Sequence, residues 1–325
     1  MAQVGSGDFV FEPVEDWPQL PAGVELVEAV GVAVDSQDRV FIFNRGGIPI
    51  LIFEADGAFV ESWGEGEFAR PHGIWIAPDD TLYLTDDMGH QVRHFTADGR
   101  LIDEIEPDGP SESGAVGFDY RTITHGAPPF NLPTNAVLAN NGDLFVADGY
   151  GNARIHCFSG GETHSWGEPG DGPGEFNVPH GLGIDQMRGQ LYVADRENSR
   201  IQIFSSDGKL VSEWTDVIRP CEVFVAQDDS VYVAEVGARA GLFPWLKREP
   251  DAIGGRLSIF DRDGNLLCRW GGGDDPTSPC DFYTPHDVWV DSQGSVYVGE
   301  VSRSAPRDGD QDPSSFPTLR KFARV

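Results

Sequence analysis

The sequence predicts an all-β fold, a six-bladed β-propeller, and three observations lead there. One unit of about 40 residues, a length typical of propeller blades, recurs along the chain, opening near Val30, His72, Thr134, His180, Cys221 and His286. The composition holds 40 Gly and 23 Pro with no low-complexity tract, which suits many short strands joined by tight turns. No segment shows the helical periodicity that an α/β fold or a coiled coil requires.

The unit is plainest at 71–105. Pro71-His72-Gly73-Ile74-Trp75-Ile76 reads as a first strand, and Thr81 to Asp86 as a second that ends on an acidic residue. Gln91 to Phe95 makes the third strand, and the turn Asp98-Gly99 leads into a fourth, Leu101 to Ile105. Alternating apolar residues around an Asp-Gly pair are a hairpin signal.

The other copies follow the same plan. The first has its second strand at Val40–Phe43 and its turn at Asp56-Gly57. The third has Leu144–Ala147, and the fourth Leu191–Ala194 with Asp207-Gly208. The fifth has Val231–Ala234 with Asp263-Gly264. The sixth has Val296–Gly299 and ends on a third strand, Leu319–Phe322, so it lacks a fourth. A strand at 9–12, around Phe9-Val10-Phe11, is expected to close this last blade and remove an exposed edge. Residues 1–325 are therefore expected to form a single propeller domain.

Three insertions break the rhythm, at 106–130, 237–255 and 302–317. The plan of a propeller places all three on one face, where long loops on a rigid scaffold carry binding. Their aromatics Tyr120, Phe130, Phe243 and Trp245 are expected to build a lid.

Asp and Glu outnumber Lys and Arg 53 to 23, a formal net charge of −30. Such a chain repels phosphate backbones and anionic lipid, so no nucleic acid and no membrane is expected as a partner. The acids are scattered and read as a solvated surface. The expected partner is a small-molecule or peptide-like substrate, and the sequence indicates no oligomeric state. Cys157, Cys221, Cys268 and Cys280 lack the C-x-x-C spacing of a zinc ribbon and read as reduced, mostly buried thiols. Met1 to Glu12 has no basic stretch followed by an apolar one, and no apolar run approaches the length of a membrane span. A cytoplasmic location is the expectation.

The histidines carry the chemistry. His72, His180 and His286 share one register, each after a proline at the mouth of a first strand, in the second, fourth and sixth copies. The intervening copies hold Val30, Thr134 and Cys221 there. A single histidine at a strand mouth is ordinarily a packing residue. Three in alternate copies of a six-fold ring instead converge on its axis, and three imidazoles with an open position make a catalytic metal centre suited to Zn2+. His90, His94, His125, His156 and His164 lack this relation and read as surface or loop residues. The second strands end on Asp86, Asp148 and Asp195, read as turn residues that bond backbone amides. Arg45, Tyr150 and Arg196 break the acidic pattern, and a phenol beside guanidinium groups and a metal is a candidate base. Asp287, directly after His286, replaces the glycine that follows His72 and His180, and suits a hard, oxygen-ligated cation such as Ca2+.

These residues resemble the peptidyl-α-hydroxyglycine α-amidating lyases, six-bladed propellers of NHL type, from about Asp8 to Phe322. The likeness rests on Asp16-Trp17-Pro18, Gly31-Val32-Ala33-Val34-Asp35-Ser36, Phe43-Asn44-Arg45-Gly46 and Pro71-His72-Gly73. It continues in Asp148-Gly149-Tyr150-Gly151-Asn152, Val178-Pro179-His180, Ala194-Asp195-Arg196-Glu197-Asn198 and Pro285-His286-Asp287. The resemblance implies that His72, His180 and His286 bind catalytic zinc. It also implies that Asp287 with the carbonyls of Val32 and Ile74 holds a structural calcium. Tyr150, Arg45 and Arg196 match the family's catalytic tyrosine and arginines.

The implied reaction splits a carbinolamide into a primary amide and glyoxylate, with Tyr150 taking the hydroxyl proton at the zinc. Thr284 stands where the family has methionine, and the disulfides of its secreted members have no counterparts, so a related hemiaminal-type substrate also fits. Two other readings compete. One is a metal-dependent hydrolase such as a lactonase, in which solvent oxygen enters the product. The other is a non-catalytic NHL-repeat scaffold that binds a protein or peptide.

Overall fold

The computed structural model describes residues 2–239, 243–246, 252–305, 312 and 315–325. The chain falls into two compact units, Met1–Glu65 with Phe224–Val325, and Gly66–Val223.

The first unit begins with β1 (Val4–Ser6) and β2 (Phe9–Pro13). Its next sheet is β3 (Ala29–Val34), β4 (Val40–Asn44), β5 (Ile50–Phe53) and β6 (Phe59–Trp63). The second unit carries three complete four-stranded sheets. They are β7 (Pro71–Ile76) to β10 (Leu101–Ile105), with β8 (Leu82–Asp86) and β9 (Gln91–Phe95) between; β11 (Asn135–Leu138), β12 (Leu144–Asp148), β13 (Arg154–Ser159) and β14 (Glu162–Trp166); and β15 (Pro179–Asp185), β16 (Gln190–Asp195), β17 (Arg200–Ser205) and β18 (Leu210–Trp214). The division between the units falls inside β19 (Pro220–Val225), which opens a sheet continued by β20 (Ser230–Glu235), β21 (Arg256–Asp261) and β22 (Leu266–Gly271). The last sheet joins β23 (Pro285–Val290), β24 (Val296–Glu300) and β25 (Leu319–Arg324) to β2 and then β1. Six antiparallel sheets of this plan make an all-β, six-bladed β-propeller. Among the described residues no helix is long and apolar enough to cross a membrane.

The ends of the chain meet in one sheet, where β2 pairs with β25 through Phe11 opposite Arg324 and Pro13 opposite Phe322. Phe11 and Phe322, both fully buried, pack with Trp270 and Phe282 in that unit's core. The Asp-Gly turns close as tight hairpins. Gly99, at φ 85, donates its N–H to Thr96 O at 3.0 Å, a left-handed backbone that a side chain would strain.

One polar device recurs at the ends of the second strands. Asp86 accepts the N–H groups of Ala69 and Arg70, just before β7, and of Gly89 in the turn after β8. Asp148 accepts Asn131 N, Asp195 accepts Asn177 N, and Glu300 accepts Tyr283 N and Thr284 N. Asn44 does the same for Val27 and Glu28. Each buried acceptor thus holds the loop that enters its own sheet's first strand, and so sets where that strand begins.

Among the aromatics of the insertions, Phe130 departs from the expectation. Phe130 is 1% exposed and belongs to a core cluster with Val92, Ala136 and Val146, so it is no part of a lid. Tyr120 packs half-buried against the neighbouring core of the same unit. Phe243 and Trp245 stack on each other at 5.0 Å. Positions 240–242, 247–251, 306–311 and 313–314, within the second and third insertions, lie outside the described residues.

Candidate metal centre

His72, His180 and His286 each occupy the second position of a first strand, in β7, β15 and β23, and all three are buried. The pairing register slips at each of them: between Pro71 and Ile74, between Pro179 and Leu182, and between Pro285 and Asp287. A bulge at the start of a strand re-aims its side chain out of the strict up-and-down alternation.

The imidazoles are held alike. His72 Nδ1 donates to Thr134 O at 2.6 Å, His180 Nδ1 to Cys221 O at 2.9 Å and His286 Nδ1 to Val30 O at 2.7 Å. A carbonyl can only accept, so the proton sits on Nδ1 and the lone pair on Nε2, the tautomer of a metal ligand. The acceptors are the residues that replace histidine in the intervening copies, and their carbonyls, not their side chains, do the work.

Within the second unit the ligand atoms of His72 and His180 lie within 4.8 Å of one another. The Tyr150 hydroxyl, in the loop after β12, stands 3.1 Å from His72 Nε2 and 3.0 Å from His180 Nε2. One hydroxyl proton cannot serve two unprotonated nitrogens, so one Nε2 lone pair faces the phenol oxygen without a proton between them. A divalent cation resolves that repulsion, and this donor set suits one.

Arg196, 1% exposed at the end of β16, points Nη1 at the Tyr150 oxygen at 3.4 Å. Its Nε bonds Glu197 at 2.9 Å, and Arg219 bonds both oxygens of the same carboxylate at 3.0 and 3.2 Å. Burial opposes the charge on Arg196, yet Tyr150 and Glu197 hold its pKa above the usual value. Burial likewise opposes ionisation of Glu197, but Arg196 and Arg219 keep its carboxyl below the usual range. The Cys221 thiol is pushed up to about 11 by burial and stays neutral.

The first insertion supplies one wall. Phe118 meets the Tyr150 ring edge to face at 5.4 Å, and the Arg70 guanidinium lies 5.0 Å from the Phe118 ring. Arg70 in turn pairs with Asp87.

The remaining predicted residues divide between the units. Arg45 lies in the first, with Nη1 at 3.3 Å from Glu28 Oε2 and 3.0 Å from Ser304 Oγ. The cation beside Tyr150 in the second unit is Arg196. Asp287 and Val32 belong to the first unit, where Asp287 Oδ2 accepts Val32 N at 2.8 Å and Oδ1 accepts Val288 N at 2.7 Å. Burial pushes the Asp287 carboxyl far above the usual carboxylate range. Ile74 is buried in β7 of the second unit, opposite Leu84.

One histidine departs from its reading as a surface residue. His156 is 1% exposed in β13, between Ser165 Oγ at 2.8 Å and Asp148 Oδ2 at 3.3 Å. Ile155, His156 and Cys157 are all buried, so both faces of β13 are covered and the histidine is covered with them.

Sequence reasoning also missed Phe118, Glu197 and Arg219. Arg219 had a legible signal. It stands two residues before Cys221, as Arg70, Leu132 and Val178 stand two before His72, Thr134 and His180, each ahead of a proline. Leu132, Val178 and Arg219 have φ values of 60°, 61° and 50°, so the chain is strained at this register in three successive sheets.

Gly181 packs against the carbonyl that holds the His180 ring. A Cβ there would meet Cys221 O at 2.2 Å, the carbonyl that fixes the His180 ring. Gly181→Ala is expected to cost about 1–3 kcal/mol of stability by overpacking, read as a lower Tm. It should also weaken metal binding by about 10–100-fold, as loss of an outer hydrogen bond does.

Fold and site define a class, the six-bladed propellers with buried imidazoles aimed from strand mouths. A family model described as NHL repeat matches residues 176–204, from the loop before β15 through β17. NHL repeat-containing protein 3 of Mus musculus is 30% identical over 83% of this chain and 76% of its own length. Peptidylglycine alpha-amidating monooxygenase of Rattus norvegicus is 30% identical over 91% of this chain and 31% of its own length. Peptidyl-alpha-hydroxyglycine alpha-amidating lyase 1 of Drosophila melanogaster is 31% identical over 78% of this chain and 47% of its own length. The chain thus spans a third to a half of these two amidating relatives. The chain belongs to the NHL-repeat β-propeller family and is related to the peptidylglycine amidating lyases.

Solved structures support the fold. A catalytically inactive virginiamycin B lyase from Staphylococcus aureus with quinupristin superposes with a TM-score of 0.59, covering 97% of this chain and 100% of that one at 15% identity. A gluconolactonase from Xanthomonas campestris reaches 0.61, covering 98% and 90% at 14% identity.

Proposed function

We propose that the chain is a metal-dependent lyase that splits a carbinolamide, a small-molecule or peptide-like substrate, into a primary amide and an α-oxo acid such as glyoxylate. The observation that carries this reading is the Tyr150 hydroxyl set between His72 Nε2 and His180 Nε2, at 3.1 and 3.0 Å, with both Nδ1 atoms committed to carbonyls. His286, whose Nδ1 is committed in the same way, is proposed as the third ligand of one zinc ion. When bound, that ion supplies Lewis acidity at the substrate hydroxyl.

Tyr150 acts as the base. It takes the carbinol proton, the oxygen electron pair closes the carbonyl, and the C–N bond breaks. The departing amide nitrogen receives the proton back from Tyr150, so the residue ends as it began. Arg196, with Nη1 3.4 Å from the Tyr150 oxygen, is placed to stabilise negative charge that develops there, and Phe118 packs against the phenol ring. Arg45, held in one orientation by Glu28 and Ser304, is assigned a supporting cationic role.

The finer assignment of a structural Ca2+ to Asp287 and the carbonyls of Val32 and Ile74 rests on the buried carboxylate, which a hard cation with oxygen ligands stabilises.

The test is to incubate the zinc-loaded protein with an α-hydroxyglycine amide in H2(18)O. Release of glyoxylate and primary amide, with no solvent oxygen in the amide, is the expected result. Solvent oxygen in a newly formed acid would mark a hydrolase, and no turnover of any carbinolamide would leave a binding scaffold.

A further inference from the structure

The turn after β8 carries a histidine that the proposed reaction leaves without a role. His90 is half-buried at φ 54, a left-handed backbone in a residue other than glycine. Its Nδ1 accepts the N–H of Leu132 at 3.0 Å, so the neutral ring keeps its proton on Nε2. Leu132 is itself left-handed, at φ 60, and its carbonyl accepts the N–H of Tyr150 at 3.3 Å. The adjoining Asn131 carbonyl accepts the N–H of Gly151 at 2.9 Å. The strained loop ahead of β11 thus holds the backbone of the Tyr150 loop, and His90 holds the strained loop.

The same turn reaches the phenol from its ring side. His90 donates its N–H to Asp87 O at 3.1 Å, and the Asp87 carboxylate pairs with Arg70. The Arg70 guanidinium lies 5.0 Å from the Phe118 ring, which packs on Tyr150.

The arrangement recurs once more in the second unit, with a different side chain. Ser199 stands four residues after Asp195, as His90 stands four after Asp86, and its φ of 52 is nearly the same. Ser199 Oγ accepts the N–H of Arg219, the left-handed residue equivalent to Leu132, at 3.1 Å. Both residues do the same backbone work, but a hydroxyl does not titrate where an imidazole does. An imidazolium has no lone pair left to accept the Leu132 N–H.

We infer that His90 is a positioning residue for the base, holding the Tyr150 hydroxyl at the imidazoles through Leu132. This deepens the lyase reading, rests on it and adds a pH dependence. Asp86, at the end of β8, and Asp148, at the end of β12, are the charged groups that act on His90. Burial lowers its pKa below the usual histidine value, and the two carboxyl groups oppose that shift. His90 is therefore neutral and accepting at neutral pH, and its hold on Leu132 is lost as pH falls through the lowered value.

The experiment follows glyoxylate release from an α-hydroxyglycine amide by the zinc-loaded parent, His90→Ala and His90→Ser proteins from neutral to acid pH. Thermal unfolding checks that each variant is folded. His90→Ala is expected to lower kcat by about 10–100-fold at neutral pH with KM little changed, as a small misplacement of a reacting group does. His90→Ser returns an acceptor of the kind Ser199 supplies at this register, and should raise kcat about tenfold over the alanine variant. It should also lose the part of the acid limb that His90 sets. Two-dimensional amide NMR gives a readout that does not depend on turnover: the Leu132 N–H resonance should move as His90 titrates in the parent and stay in place in His90→Ser.

A folded His90→Ala protein with parental kcat overturns the inference. So does a serine variant that stays at the alanine level, or a Leu132 resonance that titrates identically without the histidine. Failure of the lyase reading looks different: the parent releases no glyoxylate, while the Leu132 resonance still follows His90 and the Tyr150 amide still exchanges faster in His90→Ala.

Discussion

Tyr150→Phe is expected to lower turnover of an α-hydroxyglycine amide by about 10²–10⁴-fold, the usual contribution of a positioned base, while zinc content and Tm stay near those of the parent. The ring itself is well held. It is 7% exposed, with Phe118 at 5.4 Å and the His72 and His180 rings at 5.1 and 5.5 Å, and phenylalanine preserves those contacts. What disappears is the one oxygen that faces both Nε2 atoms and Arg196. The loss should fall on kcat more than on KM, because the proton transfer is made only in the transition state. Parental kcat in the variant would remove Tyr150 from the reaction and leave its hydroxyl a mere spacer between imidazoles.

The second large effect is on metal content. His72→Ala with His180→Ala should take a protein that carries near-stoichiometric zinc to one that carries almost none by mass spectrometry. The drop in affinity should exceed the roughly 100-fold that outer hydrogen-bond partners command, because two direct ligands are gone. Both imidazoles present an Nε2 lone pair that their Nδ1 bonds leave no other tautomer to hide. Calcium retained in the same variant would assign that ion to donors other than these histidines. A parent that takes up no transition metal even when zinc is supplied would sink the lyase reading and favour a binding scaffold.

Much of this is legible in the sequence. The strand mouths fall where the repeat placed them, with β7, β15 and β23 starting one residue ahead of His72, His180 and His286. The second strands match the expected spans to within a residue, as Val40–Asn44 does against Val40–Phe43. Asp86, Asp148 and Asp195 bond backbone amides as residues at such turns do. These features follow from local pattern: an apolar period of two, a turn pair and a proline, each readable in a short window.

Other residues were not legible because their partners lie far along the chain. Phe118 reaches Tyr150 across 32 positions of sequence, out of an insertion with little regular structure. Glu197 gains its meaning from Arg219, 22 residues away. His156 looked like one more polar residue on a third strand until Asp148 and Ser165 closed around it.

The sequence by itself determined the architecture and the register of the chemistry. A repeat that cannot bury its apolar faces alone must stack its neighbours, and equivalent positions then take equivalent places. Only the tertiary structure decided the protonation of the imidazoles and the company of the phenol. A carbonyl from the following copy fixes each Nδ1, and Arg196 with its shared carboxylate stands beside Tyr150. The physical reason is that tautomers, bulges and buried charge pairs depend on hydrogen bonds made across sheets, and such bonds leave no periodic trace in the chain that makes them.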